Sequence, residues 1–331
     1  MSQRRPSGYS YMEMILVISL IGILVALLLP AVQAAREAAR RMRCATNLTQ
    51  LIAAVHLYEA HHEFWPPGTI DAQGPVMSLP VGYHHNWITQ ILPYVEQKVL
   101  YQHVNFQVGV YDPTHQPLRR RDVPLLQCPS SPIAVPGYSD YAGIHHDQEA
   151  PIDVTNHGVF FLNSRLRLDD LIDGSSHTLA MGEKWSIKGD LGWMSGTRAT
   201  LRNTGSAINT TGGTAGVPPR AGNSAQPQHV PPLTGSDEQD RDVLPPDKEL
   251  MDWIVGPSYP RASLPGEMMP VLAPRPTDIR LAVGGLTSVH PGGVQVASAD
   301  GAVRFLSQTV AFGVLAALAH RHDGQLTDDD F

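Results

Sequence analysis

The chain opens on a short polar stretch and then carries no charge from Met14 to Ala35, a run of 22 residues. Between Ile15 and Leu29 this run is almost wholly Ile, Leu, Val and Ala, with Ser19 and Gly22 as small exceptions. A helix of that length spans roughly 33 Å, enough for a bilayer core of about 30 Å. The pattern therefore predicts a membrane helix. Behind it, Ala34, Ala35, Ala38 and Ala39 are strong helix formers. Leu48, Leu51, Ile52, Val55 and Tyr58 then recur at helical spacing as one apolar stripe. Trp65-Pro66-Pro67-Gly68 stops the helix. The expectation is a single long helix, membrane-spanning over 9–35 and amphipathic over 36–63, followed by a globular domain over 64–331.

Within that domain a second helical stretch is expected over 87–101, with Pro93 opening a new helix as its first residue. Residues 122–128 read as a buried strand entering a turn. Residues 159–162 and 178–185 read as further strands, with a short helix and turn over 168–176 between them. From Asn203 to Lys248 the chain thins to Gly, Thr, Pro, Ser and Asp without apolar periodicity, so 203–248 is expected to be a flexible insertion. Residues 294–298 and 302–306 flank Ala299-Asp300-Gly301, and Asp-Gly between two such runs is a hairpin signal. Residues 309–320 close the pattern as a short apolar helix. The fold class is α+β: a long N-terminal helix packed on a mostly antiparallel sheet with long loops.

Composition narrows the function. The formal net charge is -7, with no Lys/Arg excess to follow a phosphate backbone, so nucleic acid is excluded as a partner. With 29 glycines and 28 prolines the domain should be rich in loops. Cys44 and Cys128 are too few for a disulfide scaffold and lack the paired spacing of a zinc site. One bridge or two buried thiols remain open.

The N-terminus has two readings. As a secretory signal, Arg4 and Arg5 would be the basic region and Val32-Gln33-Ala34 the cleavage site, but the apolar run exceeds the roughly 7–15 residues of a signal core. Glu13 also heads the run, where an acid costs up to about 3 kcal/mol in apolar surroundings. Gly8-Tyr9-Ser10-Tyr11-Met12-Glu13 resembles instead the leader of type IV pilins and type II secretion pseudopilins. Tyr9 stands where that family usually has Phe, and Tyr11-Met12 where it has Leu-Val or Leu-Ile. The resemblance implies that 1–8 are a leader cut after Gly8 by a prepilin peptidase, which N-methylates Tyr9. Glu13 then meets the Tyr9 amine of a neighbouring subunit during assembly, and Pro30 bends the helix.

Further matches extend the resemblance along the chain: Arg40-Arg41-Met42-Arg43-Cys44, Phe64-Trp65-Pro66-Pro67-Gly68, residues 91–97, Cys128-Pro129-Ser130 and residues 173–178. At the C-terminal end, His290 and Asp300-Gly301 stand at H-x9-DG spacing within 286–331. Together they resemble pseudopilin-like proteins with a prepilin-type N-terminus and an H-x9-DG domain. The implied protein is a structural subunit of a type II secretion or type IV pilus-like filament, without catalytic residues or cofactor. Its partners would be prepilin peptidase, other pilin-like subunits, an inner-membrane assembly platform and the lipid bilayer. It would cross the inner membrane once with the domain periplasmic or extracellular. Arg36, Arg40, Arg41 and Arg43 behind the run oppose this, since positive charge favours the cytoplasm.

The alternatives are a membrane-tethered periplasmic ligand-binding module and an anchored metal-dependent hydrolase. For the latter, the chain has 15 histidines, including the pairs His61-His62 and His84-His85, but neither Gly-x-Ser-x-Gly nor His-Glu-x-x-His. His145, His146, Asp147 and His157 are the best ligand cluster, expected as solvated loop residues, and Asp169, Asp170 and Asp173 could offer oxygens to calcium. No metal is assigned. His290 and Asp300 could pair on a hairpin, or Asp300-Gly301 could simply be the turn. If the domain is exported, Cys44 on the helix and Cys128 at the end of a strand packed on it are a candidate disulfide.

Overall fold

The computed structural model describes residues 11–131, 136–186, 190–210, 278 and 280–324. The apolar run and the stripe behind it form one helix, α1 (Tyr11–His62), of 52 residues with Pro30 inside it and Glu13 in its first turn. In its outer half Leu16, Leu20, Leu24, Leu27, Leu28 and Leu29 each keep more than half their surface exposed. In its inner half Cys44, Leu48, Leu51, Ile52, Ala54, Val55 and Tyr58 are buried. At about 1.5–3 kcal/mol for each fully buried large apolar side chain, that stripe ties the inner half to the domain.

The domain is built on a five-stranded sheet. Its strands are β3 (Tyr141–His146), β4 (Leu179–Glu183), β5 (Leu201–Asn203), β6 (Gly293–Ser298) and β7 (Val303–Ser307). They lie in the order β5-β3-β4-β6-β7. Only the β3/β5 pair is parallel; the other three are antiparallel. A two-stranded antiparallel ribbon, β1 (Thr69–Ile70) with β2 (His85–Asn86), stands apart from it. On one face α1 packs against β4, β6 and β7. On the other, α5 (Phe312–Ala319) sets Leu315, Leu318 and Ala319 against Val294, Val296 and Leu306. Beside α1 the core is aromatic, with the Phe160 ring 5.6 Å from Trp65 and 5.1 Å from Trp87.

The hairpin over β6 and β7 forms where Asp-Gly signals it, with Ala297 opposite Val303 and Gly301 at φ +95°, a conformation glycine adopts without strain. The expected helix over 87–101 is instead three short pieces. These are α2 (Trp87–Ile91), a 3₁₀ turn (Leu92–Tyr94) that takes Pro93, and α3 (Lys98–Gln102). A further short helix, α4, covers Gln116–Arg119.

Three expectations are corrected, and one strand was not foreseen. Residues 122–128 are no strand: Pro124–Leu126 is a 3₁₀ turn, and Cys128 follows it in a loop. Residues 159–162 are buried but form no strand: Leu162 makes an isolated bridge to Thr69, and the Val159 and Phe160 N–H groups donate to the Ile144 carbonyl of β3 at 3.1 and 3.0 Å. Residues 141–146 form a central strand because they are covered on both faces, which removes the polar alternation that would mark them. At the start of the expected insertion, Asn203 ends β5, and the Thr204 N–H donates to the His146 carbonyl at 3.1 Å. Residues 211–248 lie outside the described residues, as do Gly8 and Tyr9.

Candidate functional site at the helix–domain junction

Glu37 and Cys44 lie seven residues apart on α1, two turns along one face. Across from them the fold collects three groups from separate segments. Cys128 comes from the loop after the Pro124–Leu126 turn, where its N–H donates to Asp140 Oδ2 at 2.9 Å. Glu183 ends β4, and its Oε2 accepts the Gln295 N–H of β6 at 2.9 Å. His290 precedes β6, held by its own N–H to Ser288 Oγ at 3.1 Å. All four of Cys44, Cys128, Glu183 and His290 are buried, and their ligand atoms lie within 4.8 Å of one another.

The two cysteines considered for a disulfide are free thiols that the fold brings together, their sulphurs 2.7 Å apart. Cys128 Sγ is also 3.5 Å from His290 Nε2. His290 Nδ1 donates to Glu37 Oε1 at 2.7 Å, which leaves Nε2 facing the sulphurs. Glu183 Oε1 sits 3.4 Å from that Nε2, buried and without a well-formed hydrogen bond.

The electrostatics follow from this crowding. Burial would lower His290, but the neighbouring Cys128 and the carboxylates Glu183 and Glu37 outweigh it and push the imidazole up to about 10. The Cys44 hydrogen bond brings Cys128 down to about 6, helped by His290 against burial, and the same contact pushes Cys44 up. Burial would raise Glu37, yet its hydrogen bonds from His290 and Arg40 hold it below the usual carboxylate range. The crowding thus favours positive charge on His290 and negative charge on Cys128 and Glu37.

The H-x9-DG pair separates. His290 belongs to this centre, whereas Asp300 Oδ1 accepts the Ala302 N–H at 2.9 Å and serves the hairpin turn. Two of the arginines behind the apolar run also serve the junction. Arg40 Nε donates to Glu37 Oε2 at 2.9 Å and to Ser130 Oγ at 3.0 Å. Arg41 donates to the Pro291 carbonyl at 3.0 Å, with its guanidinium 4.4 Å above the Phe305 ring.

A second cluster replaces the solvated loop expected for His145, His146, Asp147 and His157. His145 and His146 end β3, and with Asp147 they are buried by the sheet. Asp147 Oδ1 meets His146 Nδ1 at 2.5 Å and His157 Nδ1 at 2.9 Å. Burial would raise Asp147, but those two imidazoles hold it far below its usual range. The His157 ring lies 4.4 Å from His320, which is 4.8 Å from His322. Burial brings His320 down to about 4. Two of the three acids considered for calcium are otherwise engaged. Asp170 caps its own turn through the Arg167 N–H, and Asp173 accepts the Asp323 and Gly324 N–H groups at 2.8 and 2.7 Å.

The centre could not be read from spacing, because its residues come from positions 37, 44, 128, 183 and 290. Glu183 and Glu37 were missed altogether. The only hint was that Cys44, Cys128 and His290 each fell in a recognisable motif.

Fold and junction together define a class: an α+β domain carried on an apolar N-terminal helix long enough to cross a membrane. The chain belongs to the family described as a protein of unknown function (DUF1559), whose profile matches residues 33–313. The match thus begins just behind the most apolar part of α1 and includes every residue of the junction. No curated protein and no solved structure matches the chain.

Proposed function

We propose that the chain is a pilin-like structural subunit, anchored in the inner membrane by the outer half of α1 and carrying its domain outside the cytoplasm. The observation that carries this reading is the division of one continuous helix. Its most apolar 18-residue window has none of its residues buried within the protein, while one face of its inner half is buried in the domain core. A soluble protein would not leave so large an apolar face open to water. A subunit that passes from bilayer to filament meets apolar surroundings in both. Glu13 in the first turn of such a helix is favoured by the dipole and offers a charge for a neighbour's N-terminal amine.

Of the arginines that oppose this orientation, Arg40 and Arg41 have bonding roles at the junction that hold on either side of a membrane. In this reading the domain has no catalytic role, and the chain needs prepilin peptidase, like subunits and an assembly platform. A second reading, a tethered ligand-binding module, has one feature in its favour. A cleft of about 200 Å³ is lined by Tyr58, Phe64, Tyr83, Tyr101, Phe106 and Arg165. It is below the roughly 300 Å³ at which small-molecule sites begin.

Mass spectrometry of the membrane-extracted protein tests the subunit reading. The mature chain should begin at N-methylated Tyr9, and Glu13→Ala should fold normally but fail to enter filaments recovered by shear. A mature start at Ala35, or equal incorporation of the variant, refutes it.

A further inference from the structure

We propose that Cys44, Cys128, Glu183 and His290 form a closed binding site for one divalent transition-metal ion of zinc's class, which locks α1 to the domain. The donor set is two thiols, one imidazole and one carboxylate. Each is a normal zinc ligand, and four protein ligands with no open position is the arrangement of structural zinc sites. Thiols select such an ion over calcium or magnesium, which take oxygen ligands. The four ligand atoms already lie within 4.8 Å of one another, all from buried residues.

Two further observations point to a cation. Glu183 is 2 % exposed, and its Oε1 makes no hydrogen bond while facing His290 Nε2 at 3.4 Å. That long contact to His290 leaves a buried carboxylate oxygen poorly satisfied, and a metal ion between the two would ligate both. His290 in turn gives its Nδ1 proton to Glu37 at 2.7 Å. A carboxylate behind the imidazole fixes the tautomer that presents Nε2 to an ion, the usual support for a metal-bound histidine.

Metal binding takes both cysteines as thiolates, His290 through an unprotonated Nε2 and Glu183 as a carboxylate, so the ion displaces whatever protons those donor atoms carry and the protons leave to solvent. Zinc–thiolate bonds of about 2.3 Å set two sulphurs wider apart than the 2.7 Å between Cys44 and Cys128, so loading would part them. A disulfide would use both sulphurs and leave Glu183 Oε1 with only its 3.4 Å contact to His290 Nε2. The proposal is independent of the filament reading, since it concerns how the helix is held and not what the helix enters.

The full chain, purified in detergent from zinc-supplemented cells, allows the test. One equivalent of zinc per chain is expected by elemental analysis, with both thiols blocked to alkylation until a chelator alone releases them. Glu37→Gln should weaken zinc binding about 10–100-fold in a chelator competition, since it removes only the support of the imidazole. Cys128→Ser should lose the metal with its tryptophan emission unchanged. Absence of zinc with thiols that appear only after reduction overturns the proposal in favour of a disulfide. Two freely alkylated thiols overturn it as well. So does zinc retained by Cys128→Ser and lost by Asp147→Asn, which would place the ion at the histidine cluster.

Discussion

His85 makes acid sensitivity of the domain measurable. Its Nε2–H donates to the Val108 carbonyl at 2.9 Å, and its Nδ1 is buried with no acceptor in reach. The ring is wedged 4.5 Å from Tyr83 and 5.0 Å from Phe106. A second proton on this imidazole would be a buried charge with nothing to bond, so burial lowers its pKa to about 4, against a weak opposing pull from Val108. The unfolded histidine titrates near 6.5. Because the folded value is the lower one, the unfolded chain binds more protons below that pH, and stability falls as pH drops from 6.5 towards 4. At pH 5 the unfolded imidazole is almost fully charged and the folded one about nine-tenths neutral, a difference of about 2 kcal/mol. His85→Phe keeps the aromatic packing and removes the titration, at the cost of orphaning the Val108 carbonyl. Thermal melts of both full chains in detergent, followed by tryptophan emission, should show the wild type losing about 4–8 °C more than the variant between pH 7 and pH 5. His145 and His320 shift in the same direction but are common to both proteins, so the difference isolates His85. Parallel pH profiles would refute the reasoning.

Two further predictions concern stability. Leu51 is 1 % exposed at the centre of the α1 stripe. Leu51→Ala should cost about 2–5 kcal/mol in denaturant melts, and a loss under 1 kcal/mol would mean that the inner half of the helix is not fixed to the domain. Lys184 Nζ and Asp190 Oδ2 pair at 2.8 Å with both side chains fully buried. Asp190→Ala should cost about 3–5 kcal/mol by stranding the ammonium, and Lys184→Met with Asp190→Leu should recover most of it; no recovery would deny the pairing.

The elements that were legible are those whose signal is local. The apolar run, the stripe from Leu48 to Tyr58, the Pro-Pro-Gly stop and the Asp-Gly hairpin each follow from composition, spacing or turn chemistry within about twenty residues. The α+β class follows from them, and so does the long helix from Tyr11 to His62. The strand over 141–146 carries no alternation because both its faces are covered, and the buried sequence before Cys128 has no β partner and turns instead.

The candidate site was beyond the reach of local pattern for a physical reason. A helix side chain, a loop thiol, a strand carboxylate and a loop imidazole become neighbours only once α1 packs on β4 and β6. Sequence by itself determined that the chain has an apolar anchor, an amphipathic continuation and an α+β domain, because hydrophobic periodicity is written residue by residue. Only the tertiary structure decided that His290 faces Glu37 and not Asp300, and that Glu183 has a place beside two cysteines. Buried polar groups are satisfied by whatever the packing sets beside them, and that partner can lie 253 residues away.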